Sequence, residues 1–516
     1  MDIDTLLSYP WRIMMPEFTI LGIVTIVSLL DLFMREKIDR KILAYISLGG
    51  IGVALCFLFV NIGQPVQEIL FETYRLDGFA NAFKFLFLVG AAVIFILSLD
   101  YVNGKDVPYE GEFYYLILTA VLGAMILASS ADMITLFVGL ELLSISSYIL
   151  VGARKYHRRA NESALKYVIS GTIATAVMLY GMSFIYGLTG TTNLFEISER
   201  LFVAFHEQGQ SFLIYFAFFV TLIGMAFKIS VVPFHMCAPD VYEGAATPVT
   251  AFLSVVSKAA GFALILRFFM VAFIPLITDI EPDTGMWISL LNDWAFFIAI
   301  IAAASMIIGN IMALRQTNVK RMFAYSSIAQ AGYILVPFAV AGELFFRIPH
   351  LFFENAFFYL LAYLFMNLGA FAMIQLVTQE EQSEDIKAFS GLYRRAPYKT
   401  VAMIFFLLSL AGIPLTAGFI GKFYIFMGSI EGGNIWLATV MMITSVISYY
   451  YYFGLMRQMF LRPAADHAKP LKTPLGTGIV LVFCLAGTIL LGIVPQIAFD
   501  FIHLNFDGLD IFYPAE

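Results

Sequence analysis

The chain has 516 residues, of which 60% are hydrophobic and only 13% are charged, and its mean hydropathy is +0.86. A soluble domain carries about a quarter charged residues, so this composition excludes a soluble protein and indicates one that crosses a membrane many times. The net charge of −7 does not report orientation, because orientation depends on where Lys and Arg lie.

Apolar runs of about 20 residues, the length that crosses a bilayer, recur along the whole sequence. We therefore predict an all-α polytopic membrane protein with about fourteen transmembrane helices. The predicted spans lie near residues 17–34, 43–62, 80–101, 113–129, 131–152, 164–188, 211–245, 247–272, 293–314, 322–341, 350–378, 399–428, 435–456 and 475–498. The spans at 211–245 and 399–428 contain prolines that break a helix.

The loops between these spans differ strongly in basic residues. With this span count, 21 of the 30 Lys and Arg residues fall on one side of the membrane and six on the other, and Lys228, Lys258 and Lys422 remain inside it. The positive-inside rule places the richer side in the cytoplasm and both termini outside.

Two segments between the spans also have a recognisable character. Segment 194–206 has an amphipathic period and should lie along the outer surface. The charged stretch at 379–387 is predicted to be a solvated cytoplasmic loop.

The stretch from Ile223 to Phe262 combines two features that are costly in a membrane. It carries Lys228 and Lys258, and Pro233, Pro239 and Pro248 interrupt the helix between them. A broken helix at membrane depth is tolerated where it is packed in protein or lines a wet cavity. A lysine at that depth marks an ion or proton path by default.

The second break has a similar pattern. The seventh span breaks at Val231–Pro233, and the twelfth breaks at Gly412–Pro414 and is followed by Lys422. Because the two spans are five apart, they cross the membrane in opposite directions, as broken helices of inverted repeats do. We expect an N-terminal three-helix addition, two inverted five-helix repeats that each contain a broken helix, and a C-terminal span with its flanks. The corresponding bounds are 1–112, 113–272, 293–456 and 457–516.

Four charged residues are the candidate site. Glu141 lies mid-span, Lys228 precedes the first break, Lys258 follows it, and Lys422 follows the second break. Glu141 and Lys228 can be a structural ion pair between helices, or a pair in which each changes the proton affinity of the other. Lys258 and Lys422 can be snorkelling lysines, or further stations of a path.

Other polar residues are weaker candidates. His235 lies at the first break, where it can relay protons or cap the broken backbone. Glu17 lies near a span end, where a charge costs little, and Arg267 closes the eighth span as an expected interfacial anchor.

The sequence also lacks the motifs of several cofactors. It has three well-separated cysteines, no CxxC pair, no Walker loop and no GxGxxG in a strand–turn–helix context. We expect the chain itself to bind no nucleotide, flavin, metal or nucleic acid.

Three stretches resemble a known family. They are FKISVVPFHMCAPDVYEGAATPVTAFLSVVSKAAGF, GNIMALRQTNVKRMFAYSSIAQAGY and AGIPLTAGFIGKFYIF. They resemble the antiporter-like membrane subunits of respiratory complex I, the proton-translocating NADH:quinone oxidoreductase, and PDVYEGA with TPVTAFLSVVSKAA is most similar to the subunit N (subunit 2) family in its bacterial form.

The resemblance implies a translocase subunit in the plasma membrane that works with other membrane-arm subunits, lipid and protons. It implies a coupled pair at Glu141 and Lys228, a central relay at Lys258 and a terminal lysine at Lys422. It implies no redox centre in this chain. The alternatives are a subunit of a multisubunit cation/proton antiporter, which shares these positions, and a non-pumping membrane scaffold.

Overall fold

The computed structural model describes residues 7–35, 38–102, 106–206, 209–273, 279–280, 287–288, 290–340, 349–463 and 471–505. In these ranges the chain is almost entirely helical, as the sequence predicts. Two short antiparallel strand pairs, Gln67–Ile69 with Tyr74–Leu76 and Asp279–Ile280 with Trp287–Ile288, are additions that the sequence analysis did not predict.

The first half of the chain contains the segments up to the helix that carries Lys258. They are a 3₁₀ turn Trp11–Met14, α1 Met15–Phe33, α2 Lys41–Asn61, β1 Gln67–Ile69, β2 Tyr74–Leu76, α3 Gly78–Tyr101, α4 Glu110–Ala128, α5 Met133–Val151, α6 Arg158–Thr189, α7 Leu194–His206, α8 Ser211–Ile229, α9 Ala238–Gly244, α10 Thr247–Phe252, a π-helical turn Leu253–Ser257 and α11 Lys258–Ala272.

The second half of the chain contains the remaining segments. They are β3 Asp279–Ile280, β4 Trp287–Ile288, α12 Leu290–Ala313, α13 Val319–Ala339, α14 Pro349–Glu381, a 3₁₀ turn Ile386–Phe389, α15 Leu392–Arg395, α16 Pro397–Ala411, α17 Ala417–Glu431, α18 Ile435–Leu461, α19 Leu475–Ile493 and α20 Pro495–Asn505.

Thirteen helices in the described ranges are long and apolar enough to cross a membrane. They match thirteen of the fourteen predicted spans. The remaining predicted span, 399–428, is built as the two 15-residue helices α16 and α17, each too short to cross alone. The predicted amphipathic helix at 194–206 is present as α7, with Leu194, Ile197 and Leu201 buried on one side.

Both predicted breaks are present. Helix α8 ends where Ser230 adopts a left-handed conformation, and eight residues separate it from α9. The amide of Val232 within this break donates to Ser305 Oγ on α12 at 3.0 Å, so part of the opened backbone is satisfied by a neighbouring helix. Helix α16 ends at Gly412, whose φ of +85° is a conformation that favours glycine.

Two helical segments form the centre of the protein. The segment Thr247–Ala272, which comprises α10, the π-turn and α11, is buried along its most apolar stretch, and so is α13. Helices this apolar would ordinarily contact lipid, but here other helices enclose them. The polar side chains on these two segments therefore face protein, which places Lys258 at the centre of the fold.

Candidate functional site

The four predicted charged residues lie on four different helices. Glu141 is on α5, Lys228 is in the last turn of α8, Lys258 opens α11, and Lys422 is on α17. Lys258 and Lys422 are buried, whereas Glu141 and Lys228 are partly buried. The contacts of each residue decide which of them the fold brings together.

Glu141 and Lys228 do not form a direct ion pair. Lys228 Nζ instead donates to Ser144 Oγ at 3.0 Å, and Ser144 lies one helical turn after Glu141 on α5. Residues three apart share a helix face, so the ammonium and the carboxylate approach the same patch of α5. Glu141 Oε1 is buried and has no hydrogen-bond partner within the described ranges. This oxygen is therefore available to accept a hydrogen bond from a new donor.

A small cavity joins Lys228 to Lys258. Both side chains line it, together with the polar residues Tyr167, Tyr242 and Ser257, and its volume is about 30 Å³. A cavity of this size and polarity can hold a water molecule. The approach of the two lysines depends on Gly261, because a Cβ there would meet Ile229 Cγ2 at 2.7 Å and Lys228 Cγ at 3.1 Å.

Lys258 is held by helix α13. Its Nζ donates to the carbonyl oxygen of Ser327 at 2.6 Å and also to Ser327 Oγ, which is 3.3 Å from the hydroxyl of Tyr242 on α9. Lys258 directly follows the π-helical turn, a local widening that frequently occurs at functional sites.

Further polar groups with hydrogen bonds to other helices lie next to Ser327 on α13. Ser326, next to Ser327, shares a hydrogen bond with the hydroxyl of Tyr452 on α18. The amide of Gln330 reaches Tyr452 Oη at 3.5 Å and the carbonyl oxygen of Leu410 at 3.1 Å, and its oxygen accepts from the Tyr359 hydroxyl. Each group here can donate and accept, apart from the carbonyl.

Lys422 ends this sequence of contacts. Its Nζ donates to the carbonyl oxygens of Leu410 and Ala411 at 3.0 and 3.2 Å, and the same nitrogen lies 4.5 Å from the ring centre of Tyr333. These are carbonyls at the C-terminal end of α16, where a cation is favoured. The carbonyl of Leu410 is thus shared between Gln330 and Lys422. We call the groups Ser327, Ser326, Tyr452 and Gln330 the polar line.

His235 occupies the first break, as predicted. Its side chain is buried, and its Nδ1 has no hydrogen-bond partner in the described part of the chain. His235 is not among the residues that line the cavity between Lys228 and Lys258.

Two expectations about end-of-span charges are wrong. Glu17 is buried and forms a 2.7 Å ion pair with the buried Lys84, which also donates to Tyr74 of the β1–β2 hairpin. Arg267 is not an interfacial anchor, since its guanidinium is fully buried and binds both oxygens of Asp77 at 2.5 and 2.8 Å.

Sequence analysis missed Ser144 and the polar line. A weak signal was available, because Ser326, Ser327 and Gln330 lie in a span that is otherwise apolar. Serines in such helices commonly bond to their own backbone, as Ser147 does to the carbonyl of Leu143, so their positions alone do not indicate partners on other helices.

In the described ranges, no group of three or more His, Cys, Asp or Glu side chains is arranged to hold a metal ion. The lysines and hydroxyls of the site are proton donors and acceptors, and the chemistry that they support is proton exchange.

Comparison with known proteins identifies the family of the chain. The sequence profile of the family described as NADH:quinone oxidoreductase/Mrp antiporter, transmembrane, matches residues 130–448, which is more than half of the chain. The chain belongs to this family.

The relatives identify the group within the family. NADH-quinone oxidoreductase subunit N of Brevibacillus brevis is 50% identical over 510 residues, covering 98% of this chain and 97% of that protein. The protein of the same name from Anoxybacillus flavithermus is 52% identical over 504 residues, covering 97% and 98%. A chain in the solved structure of respiratory complex I from Thermus thermophilus with bound aureothin is 30% identical and superposes with a TM-score of 0.76, covering 95% of this chain and 100% of that one. Nearly the whole chain therefore groups with subunit N.

Proposed function

We propose that this chain is a proton-translocating membrane-arm subunit of NADH-quinone oxidoreductase, in which protons move along buried side chains while electron transfer occurs in other subunits. The observation that carries the proposal is the polar line, whose members lie between Lys258 and Lys422 at the centre of the fold. Lys258 bonds to Ser327, the adjacent Ser326 bonds to Tyr452, and Gln330 contacts Tyr452 and shares the carbonyl of Leu410 with Lys422. The cavity between Lys228 and Lys258 extends the connection toward Glu141.

The contacts of each lysine support a proposed role. Lys228 and Glu141 form the pair whose interaction changes during a cycle, Lys258 is the central relay, and Lys422 is the terminal station. A lysine can lose and regain a proton, and the serine and tyrosine hydroxyls between them can pass one on. His235 is a further proposed relay, because its buried Nδ1 lacks a partner within the described ranges.

The energy for this movement comes from outside the chain. Electron transfer in partner subunits shifts the electrostatics at one end of the line, and the charges respond in turn. The proposed partners are the other membrane-arm subunits, lipid and protons, and no cofactor or nucleic acid is part of the proposal.

The alternative is a subunit of a multisubunit cation/proton antiporter. The matching family includes both kinds of protein, so the family alone does not separate them. The full-length relatives favour the oxidoreductase, because both of those described above carry the name subunit N. Co-purification separates the two, since quinone-reductase subunits and antiporter subunits are different sets of proteins.

We also propose that spans four to eight and nine to thirteen, in 113–272 and 293–456, are inverted repeats, with 1–112 and 457–516 as additions. Glycine contacts support the correspondence. A Cβ on Gly123 of α4 would lie 2.7 Å from the carbonyl oxygen of Gly139 on α5, and a Cβ on Gly309 of α12 would lie 2.7 Å from the amide of Ala329 on α13. Spans four and five thus approach each other as closely as spans nine and ten do.

The proposed orientation puts both termini outside the plasma membrane. Its support is the distribution of Lys and Arg, with 21 on one side and six on the other. Single cysteines placed at 153–157 and 382–387 in a background without the native cysteines should resist an impermeant maleimide in intact cells. Labelling of both from outside would reverse the assignment.

The decisive experiment separates a relay from a structural cation at Lys258. Arginine keeps the positive charge but effectively never releases its proton, so Lys258→Arg should assemble and yet pump poorly. Lys258→Ala should pump poorly too, and Lys258→His should retain more activity than either, because histidine titrates near neutrality. The measurement is NADH-driven proton uptake in membrane vesicles, divided by the amount of assembled complex.

Lys84→Arg is the matched control. Lys84 is also a buried lysine, but it lies off the polar line, and its ion pair with Glu17 requires only a positive charge. We expect this variant to pump normally. Normal pumping by Lys258→Arg would make Lys258 a structural cation and would favour a non-pumping scaffold or a path elsewhere.

A further inference from the structure

A large polar cavity lies on the face that is rich in Lys and Arg. Its volume is about 510 Å³, and it lies between the loop around residues 152–159 and the segment that follows α14. Its lining includes Arg154, His157, Glu243, Thr247, Glu384 and Asp385. Such a cavity can fill with water from the adjoining solution.

One ion pair connects this cavity to the protein interior. Glu384 lines the cavity, and its Oε1 lies 2.7 Å from Lys320 Nζ. The glutamate side chain is 26% exposed, whereas the lysine side chain is only 1% exposed. The pair therefore has one member in contact with the cavity and one member inside the protein.

Lys320 also reaches the broken-helix region. Its Nζ donates to the carbonyl oxygen of Ala245, between α9 and α10, at 2.9 Å. Tyr242, three residues before Ala245, contacts Ser327, which is the partner of Lys258. The ammonium of Lys320 thus lies beside the segment that leads to the central lysine.

Helix α13 provides a second connection. Lys320 and Ser327 are seven residues apart, which is about two helical turns or roughly 10 Å, so they lie on the same face. The polar line begins at Ser327 and runs away from Lys320. The face of α13 that carries the polar line therefore continues back to the cavity.

Attachment of the segment after α14 to the start of α13 does not require this lysine. The segment after α14 is already attached to the start of α13 by the bonds from Val319 N to the carbonyl of Glu384 and from Ile386 N to the carbonyl of Thr317, both 2.8 Å. Asn318 Nδ2 adds a bond of 3.1 Å to Glu384 Oε2. Burying an ammonium here costs desolvation that an attachment by backbone alone avoids.

We propose that this cavity is the entrance through which protons reach Lys258, with Glu384 as the acceptor at its wall and Lys320 as the buried relay. A proton passes from cavity water to the Glu384 carboxylate. After Lys320 has released its own proton, by way of the Ser327 hydroxyl, to a Lys258 amine that is neutral at that stage, the Glu384 carboxyl protonates the neutral Lys320 amine and becomes a carboxylate again. This proposal rests on the proposed function, because it supplies the protons that the polar line carries.

The test uses three variants in the assembled complex. Glu384→Gln keeps a hydrogen-bond acceptor for Lys320 but cannot take up a proton, and Lys320→Arg keeps the ion pair but cannot release one. Glu384→Asp restores the carboxylate. We expect the first two to lower proton uptake per NADH oxidised at least about fivefold, because each removes a group that takes up or releases a proton, and the third to recover most of it.

Glu381→Gln is the matched control. Glu381 is three residues away, is also 26% exposed, and pairs with Arg395 at 2.5 Å, but it does not line the cavity. This variant should pump normally. If Glu384→Gln pumps as well as Glu381→Gln, the cavity is not the entrance, and normal pumping by Lys320→Arg removes Lys320 from the path.

Lys258→Arg measured in parallel separates the two proposals. A defect in Lys258→Arg with normal Glu384→Gln and Lys320→Arg overturns the entrance alone. Normal pumping by Lys258→Arg with defects in Glu384→Gln and Lys320→Arg supports the cavity as an entrance but overturns the route through Lys258. Normal pumping by all three variants overturns both.

Discussion

The two helix breaks place a lysine in different ways. At the first break, Lys228 lies five residues before Pro233, in the last turn of α8, the helix that precedes the break. The position five residues before Pro414 is the uncharged Ser409. At the second break the lysine, Lys422, lies instead on α17, the helix that follows the break. The two halves thus share the broken helix but not the position of the cation.

The partners of the two lysines differ correspondingly. Lys422 bonds to two main-chain carbonyls and packs on Gly412, whose added Cβ would lie 3.0 Å from Lys422 Cδ. Lys228 bonds to a side chain, Ser144, on the helix that carries Glu141. Backbone dipoles at a helix end are fixed, whereas side chains can reorient. The comparison indicates that Lys228 is the adjustable station and Lys422 the fixed one.

The largest expected effect comes from removing the charges at the adjustable station. Glu141→Gln and Lys228→Ala should each reduce proton uptake about tenfold or more, because each removes a proton-exchanging group. If the two residues act as one unit, the double variant should be about as defective as either single variant. The measurement is proton uptake normalised to assembled complex. Losses that add on a free-energy scale would show two independent roles and would remove the basis for calling the station a pair.

A smaller effect on proton uptake is expected from removing the hydroxyl of Ser144, the partner of Lys228 on the helix that carries Glu141. Within the described ranges, Ser144→Ala removes the one hydrogen bond that Lys228 makes to another helix. That bond contributes about 1 kcal/mol, so proton uptake should change by no more than about fivefold. The same assay applies.

Ser147→Ala is the control for this change. Ser147 lies three residues after Ser144 on α5. In the described part of the chain its hydroxyl bonds to its own helix, at the carbonyl of Leu143. Its loss should leave uptake unchanged. Equal effects of the two substitutions would show that Ser144 does not orient Lys228.

Much of the fold was predictable because membrane spans have a strong and simple signal. Apolar runs of sufficient length predicted thirteen helices, and prolines at Pro233 and Pro414 predicted both breaks. Lysines at membrane depth are rare enough that Lys228, Lys258 and Lys422 stood out from the sequence alone.

The connections between these lysines were not predictable. Whether Ser144 or Gln330 faces a neighbouring helix depends on how the helices pack, which sequence spacing does not determine. The same limit applies to Glu17, which was expected near a span end but pairs with the buried Lys84, a lysine that also bonds to Tyr74 of β2. The stretch at 379–387 was expected to be only a solvated loop, yet Glu384 within it pairs with a buried lysine.

The central claim is that the polar line connects the two halves, and Gln330 is the residue at which it can be cut while every lysine stays in place. Gln330→Leu removes the contacts to Tyr452 and to the carbonyl of Leu410 with little change in volume. Gln375→Leu is the matched control, because Gln375 is also 1% exposed but bonds to the carbonyl of Leu97, away from the line. We predict that both variants assemble, that Gln375→Leu pumps normally and that Gln330→Leu loses most of its NADH-driven proton uptake. Equal uptake by the two variants would contradict the account, because protons would then pass between the halves without the polar line.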